Sequence, residues 1–230
     1  MKTLLTSTIA LCAALVMTSC CNKETKCTVA ETKSEMKKEP FKKKYTNKDF
    51  YDADGNFKQD VARKAFKEML AYYDIPWTDL LDKEIWFADF GMQDFENVGM
   101  GGIFWINDPK SGYLGHTIYL LPGQMIPEHR HEATANYAAK DESWYMEEGW
   151  AYNFSEVGDP TPNPPAIAEA QKASMKSKNF VIQKKGEYIK LKEILTSHFL
   201  RAGDEGAIVV EFGSYQDMDG LKFSNPAAKL

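Results

Sequence analysis

Gly123-Gln-Met-Ile-Pro-Glu-His129-Arg-His131, with Glu142 after a further ten residues and His198 far downstream, is the stretch that decides how this chain folds. Residues two apart on a β-strand point to one face, so the imidazoles of His129 and His131 aim together while Glu128 and Arg130 aim the other way. Glu142 opens the run Glu-Ser-Trp-Tyr-Met-Glu-Glu-Gly149, which reads as the next strand and its turn. Three of the four histidines and one carboxylate thus fall where a small antiparallel barrel would gather them round one divalent cation. Mn²⁺, Fe²⁺, Ni²⁺ and Zn²⁺ all accept imidazole nitrogen together with carboxylate oxygen, leaving positions for water or substrate. The competing reading is a pair of surface histidines on an edge strand.

Working outward, the texture after residue 85 is one of short aromatic and β-branched runs separated by turns such as Gly99-Met-Gly-Gly102 and Asn107-Asp-Pro-Lys-Ser-Gly112. Strands are expected over 85–90, 98–106, 115–121, 124–131, 142–148, 150–156, 179–183, 187–191, 196–200 and 207–213, a pattern that indicates an all-β sandwich or barrel. Residues 161–177, Pro-rich and then Ala/Lys-rich, read as an insertion with a short helix. Ahead of the strands, Val61, Ala65, Phe66, Met69, Leu70 and Tyr73 recur at helical spacing, predicting a helix over 59–73 whose apolar stripe caps the barrel. Pro76 ends it, and Trp77 and Trp86 are assigned to the core.

The N-terminus is of another kind. A short positive start, an apolar run from Leu4 to Met17 and Thr18-Ser19-Cys20 read as an export signal over residues 1–19, too short to span a bilayer. The cysteine placement resembles a bacterial lipoprotein signal, implying lipidation of Cys20 and a membrane-anchored, exported protein. Residues 20–47, rich in Lys, Glu, Thr and Ser, are expected to be a flexible linker, with a single domain over 48–230. All four cysteines lie in the first 27 residues, so neither a disulfide framework nor a thiol nucleophile is available to the domain. A net charge of −5, with basic residues clustered before the domain, gives no footprint for nucleic acid.

Gly123, six positions before the His-x-His pair, and Gly149, seven after Glu142, stand where the first cupin motif carries glycines. The chain resembles the cupins, and the resemblance implies a double-stranded β-helix, or jelly-roll, barrel. Within that superfamily, Leu120 to His131, Lys140-Asp-Glu142, Arg201 to Phe212 and Phe223-Ser-Asn-Pro226 resemble the cupin-type D-lyxose ketol-isomerases, as does Ala88-Asp-Phe-Gly-Met92 upstream. Coverage runs from about residue 75 to 226. The resemblance implies a metal-dependent aldose-ketose isomerase acting on a free sugar, with His129, His131, Glu142 and His198 holding one cation, most often Mn²⁺.

Glu211, at the family's Glu-Phe position, is the expected proton shuttle, as a carboxylate with a raised pKa; the alternative is a structural carboxylate paired with Arg201 or a lysine. Lys140 matches the family's lysine two residues before the ligand glutamate and would steady a developing oxyanion; the alternative is a solvated loop lysine. His116, with no carboxylate at ligand spacing, is left out of the site, and Gln124 is assigned to the start of its strand. Trp144, Tyr145, Trp150 and Tyr152 divide between core and cavity. The chain departs from the family before His198, where Lys190-Leu-Lys-Glu-Ile-Leu-Thr-Ser replaces a Pro- and Gly-rich turn, and over Gly213 to Gly220, where two aspartates are out of register. Three histidines and a glutamate also suit an iron-dependent cupin dioxygenase, and the altered segment from Gly213 to Gly220 keeps open a non-catalytic sugar-binding lipoprotein. Cupin barrels often pair, so a homodimer is also expected.

Overall fold

The computed structural model of the chain describes residues 39–230. The export signal, Cys20 and the linker up to residue 38 lie outside the described residues. Residues 39–47, expected to be linker, are part of the fold. Phe41 is buried with its ring 5.4 Å from that of Tyr72, while Lys43 and Lys44 pair with Glu96 and Glu68. Single well-placed rings dock this segment despite its polar average composition, which is why composition set the boundary too late.

Helix α1 (Asn47–Phe50) precedes α2 (Gln59–Tyr72) and α3 (Asp79–Glu84). The long helix buries Ala62, Ala65, Phe66, Met69 and Leu70, the expected stripe. It ends where Asp74 takes a left-handed conformation (φ 58°) and the Ile75 amide donates to the Leu70 carbonyl, satisfying one of the free carbonyls of the last turn. α3 was not anticipated; Thr78 caps it, its side chain accepting from the Leu81 amide.

Nine strands follow in an antiparallel sheet: β1 (Trp86–Ala88), β2 (Met100–Asp108), β3 (Tyr113–Leu120), β4 (His129–His131), β5 (Glu142–Ser155), β6 (Asn179–Lys184), β7 (Tyr188–Lys190), β8 (His198–Ser214) and β9 (Leu221–Phe223), with helix α4 (Glu169–Lys172) inside the expected insertion. Two pairs of expected strands are each one continuous strand. β5 joins the runs 142–148 and 150–156, and β8 joins 196–200 and 207–213. These two long strands pair along their whole length, from Glu142↔Gly213 to Ser155↔His198.

Register shifts at Met146/Glu148 and Gly149/Ala151 bend the ribbon between its halves. At the bend Gly149 and Gly206 have φ of 69° and 83°, and a Cβ on Gly149 would come within 2.2 Å of the Gly206 carbonyl oxygen, so only glycine fits. The C-terminal half of β8 pairs with β3 and the N-terminal end with β4, so one bent strand closes the sheet into a cupin-type barrel.

Two cores result. Inside the barrel lie Met100, Ile118, Leu120, Trp144, Met146, Phe199, Leu200 and Val209. On the outer face, α2 packs Phe66 and Met69 against Phe87, Ile103, Tyr119 and Ile208. Both faces are therefore buried over the first half of β2 and the second half of β3, which stiffens the wall behind the cavity. Among the described residues no helix is long and apolar enough to cross a membrane.

Phe66 is fully buried and stacks on Phe87 with ring centroids 5.4 Å apart. Phe66→Ala should therefore lower the unfolding free energy by about 3–5 kcal/mol, measured by urea denaturation; a loss below about 1 kcal/mol would mean that α2 is not fastened to the sheet as described.

Candidate functional site

The barrel interior holds a small cavity of about 50 Å³. Its floor is built by strand pairing. His129 on β4 and His198 on β8 are direct cross-strand partners, their rings 4.5 Å apart. His131, two residues along β4, presents its ring from the same face, 5.9 Å from that of His198. One ligand atom from each of the three lies within 4.8 Å of the others. Glu142, first residue of β5, completes the group: Oε1 is 3.0 Å from His198 Nε2 and 3.4 Å from His131 Nε2. The four residues expected as ligands are thus brought together.

The imidazoles are oriented for coordination. His129 Nδ1 donates to the Pro127 carbonyl at 2.9 Å and His198 Nδ1 to the Thr196 carbonyl at 2.8 Å, which directs each Nε2 lone pair into the cluster. His131 Nε2, His198 Nε2 and Glu142 Oε1 are buried and have no hydrogen-bond partner. Such atoms are costly to leave unpaired, and a divalent cation accepting their lone pairs would satisfy them together. The three-imidazole, one-carboxylate donor set fits a first-row cation.

Burial, helped by the neighbouring His198, pushes the His129 pKa down to about 4, and burial beside Lys140 drives that of His131 well below the ordinary value. Both imidazoles are neutral and ready to coordinate near neutral pH. Burial also opposes charge on His198, but the adjacent Glu142 carboxylate outweighs it and raises that pKa.

The second half of the site is a chain of charges running from Glu142. Lys140 Nζ is buried between the two carboxylates, donating to Glu142 Oε2 at 2.8 Å, to Glu211 Oε1, and to the Gln216 side-chain oxygen at 2.8 Å. Lys140 is therefore no solvated loop lysine. Burial alone would lower its pKa, yet the two carboxylates raise it, so the ammonium persists. Glu211 shows the converse. Burial favours its neutral acid, but Lys140 and the hydrogen bond from His116 prevail and hold its pKa below the ordinary range. The raised value expected for this carboxylate is corrected: its partners, invisible in the linear sequence, reverse the effect of burial. Of the two structural partners considered for it, the lysine is present, while Arg201 lies over the Tyr152 ring.

One further assignment changes. His116, left out of the site, is buried on its wall with Nδ1 2.7 Å from Glu211 Oε2. The contact comes from the β3–β8 register, which sequence spacing does not display. Trp86 packs against the barrel core, as expected, and also lines the cavity together with Trp144, Asn153 and Gln216. Phe90, in the Asp-Phe-Gly turn, also lines it from a left-handed conformation (φ 52°), an uncommon geometry for a bulky residue. Trp150 and Tyr152 line a separate outer cleft. Gln124 takes the structural role expected, accepting from the Leu121 amide at 2.8 Å and donating to the Phe95 carbonyl. Glu128, behind His129, receives the Lys176 and Ser177 amides and the Ser224 hydroxyl, tying the insertion to the barrel.

No protein-family model matches the chain. It is 32% identical over 169 residues to a D-lyxose ketol-isomerase of Thermofilum sp. (strain ex4484_79), covering 73% of this chain and 92% of that relative. It is also 32% identical over 174 residues to a D-lyxose/D-mannose isomerase of Thermosediminibacter oceani, covering 74% and 92%. Among solved structures, the fold is similar to that of Acinetobacter sp. DL28 L-ribose isomerase in complex with L-ribose, with a TM-score of 0.61 at 15% identity over 81% of this chain and 95% of the other. At that identity the structural likeness speaks for the fold alone. The curated relatives match over nearly their full length, and the chain belongs to the D-lyxose ketol-isomerase family.

Proposed function

We propose that the protein is a metal-dependent aldose-ketose isomerase that interconverts D-lyxose and D-xylulose, with D-mannose and D-fructose as a second pair. The observation that carries this reading is the unbroken link Glu142–Lys140–Glu211, which sets a candidate base beside a candidate cation site in one cavity. The names of the curated relatives support the choice of sugar. Bound to His129, His131, Glu142 and His198, a divalent cation such as Mn²⁺ would supply a Lewis acid for two neighbouring sugar oxygens.

The remaining work falls to side chains. Glu211, held ionised, takes the proton from C2 of the aldose and returns it to C1, while the O2 hydroxyl proton passes to O1; no other reactant is consumed. Lys140 keeps Glu211 anionic before the transfer and, as a fixed positive charge, favours the negative charge that builds on the sugar oxygens. Trp86, Trp144 and Phe90 exclude water and offer ring faces to the sugar. The low basicity of Glu211 is the cost of this arrangement, so proton abstraction relies on the nearby positive charges to acidify the sugar C–H.

Two measurements test the reading. With Mn²⁺ loaded, Glu211→Gln should lower kcat for D-lyxose by about 10²–10⁴-fold while metal content is unchanged. Equal kcat in the variant would remove Glu211 from the reaction, and sugar binding without any turnover by the wild type would favour a non-catalytic sugar-binding protein.

The second concerns pH. The raised His198 pKa means that a proton on its ring competes with the cation as pH falls, whereas His129 and His131 are already deprotonated. Apparent affinity for Mn²⁺ should therefore weaken as pH drops from about 8 to about 6, across the ordinary histidine value of about 6.5, with close to one proton released per ion bound in calorimetry. A pH-independent affinity, or release of three protons, would contradict this division among the histidines.

A further inference from the structure

Four residues form a row across the inner face of the sheet. Phe104 on β2 pairs with His116 on β3, His116 with Glu211 on β8, and Glu211 with Trp144 on β5. The His116 ring packs against Phe104 (centroids 4.4 Å, planes 22° apart) and Trp86 (5.7 Å, 10°), which also pack on each other (5.7 Å, 26°). Beneath it is Gly102, where a Cβ would sit 2.8 Å from His116 Nε2 and 2.5 Å from the Trp86 ring. The imidazole is thus packed against two aromatic neighbours and closely approached by the Gly102 backbone.

An ionised carboxylate only accepts hydrogen bonds, so in the 2.7 Å contact His116 Nδ1 is the donor and Glu211 Oε2 the acceptor. Glu211 is thus gripped at both oxygens, Oε1 by Lys140 and Oε2 by His116. A carboxylate has about four acceptor positions, so two donors leave lone pairs for a substrate proton while fixing the plane in which those lone pairs lie. Lys140 alone would not fix that plane, because an ammonium at one oxygen leaves the carboxylate free to turn about its own axis.

We propose that His116 is a positioning residue for the isomerisation: packed against Trp86 and Phe104, it donates Nδ1–H to Glu211 and sets the orientation in which that carboxylate meets the sugar C–H. The proposal rests on the functional reading above and adds to it a second, histidine-held grip on the base. His116 stands outside the group of three histidines close enough to share one ion, and its Nε2, closely approached by Gly102, has no hydrogen-bond partner.

Two substitutions separate the hydrogen bond from the packing. His116→Phe keeps an aromatic ring in the stack but deletes the donor, whereas His116→Asn keeps an N–H donor and loses the ring. In Mn²⁺-loaded protein, His116→Phe should lower kcat by about 10- to 100-fold with KM and metal content unchanged, and His116→Asn should recover part of that loss. In a Glu211→Gln background, His116→Phe should change kcat by less than about twofold, because a positioning residue has nothing left to position.

A His116→Phe enzyme as fast as the wild type, or one faster than His116→Asn, would overturn the proposal by making the ring's packing sufficient. An undiminished effect in the Glu211→Gln background would overturn it too. If the wild-type protein interconverts no aldose and ketose at all, the functional reading fails and this proposal falls with it.

Discussion

The site depends on one buried ammonium. Lys140 lies between Glu142 and Glu211, three charged side chains each at most 5% exposed, and without it two carboxylates would face each other in a pocket of low dielectric. Removing one partner from such a buried group typically costs about 3–5 kcal/mol, because the charge left behind is unpaired and desolvated. The same ammonium fixes what each carboxylate can do. It keeps Glu142 ionised beside the imidazoles, where the proposed cation would take a carboxylate ligand, and keeps Glu211 ionised beside the cavity, where the proposed isomerisation would use a base.

The fold exists to make that encounter. β8 is a single strand of 17 residues whose bend lets its first residue, His198, pair with His129 while Glu211, near its far end, pairs with His116 and Trp144. Lys140 comes from the loop that leads into β5, and its reach to both acids follows from the pairing of Glu142 with Gly213 at the open end of the ribbon. α2, packed behind the sheet, buries the outer face of the same strands and so holds the wall on which His116 and Glu211 are mounted.

How much of this was legible in the sequence follows the range of the interactions. His129 and His131 were readable because a strand's two-residue period is local, and Glu142 because it opens the next apolar run. The stripe of α2 was readable for the same reason. The continuity of β5 and β8 was not, since Gly149 and Gly206 look like turn residues and only their contact across the ribbon makes them a bend. His116 was missed because its meaning depends on cross-strand register: nothing near it in the chain is acidic, and Glu211 lies 95 residues away. A signal did exist in the alternation Leu114, His116, Ile118, Leu120, which places the imidazole on an otherwise apolar inward face. Burial predicted the wrong direction for the Glu211 pKa, since the charged partners that reverse it come from other strands.

The central claim is that His129, His131, Glu142 and His198 hold one divalent cation beside Glu211, and it is tested most directly by X-ray absorption spectroscopy and anomalous diffraction on Mn²⁺-loaded protein. One ion per chain, coordinated by three imidazole nitrogens and a carboxylate oxygen, is the expected result. An ion bound elsewhere, or a shell without the His198 nitrogen, would contradict the account.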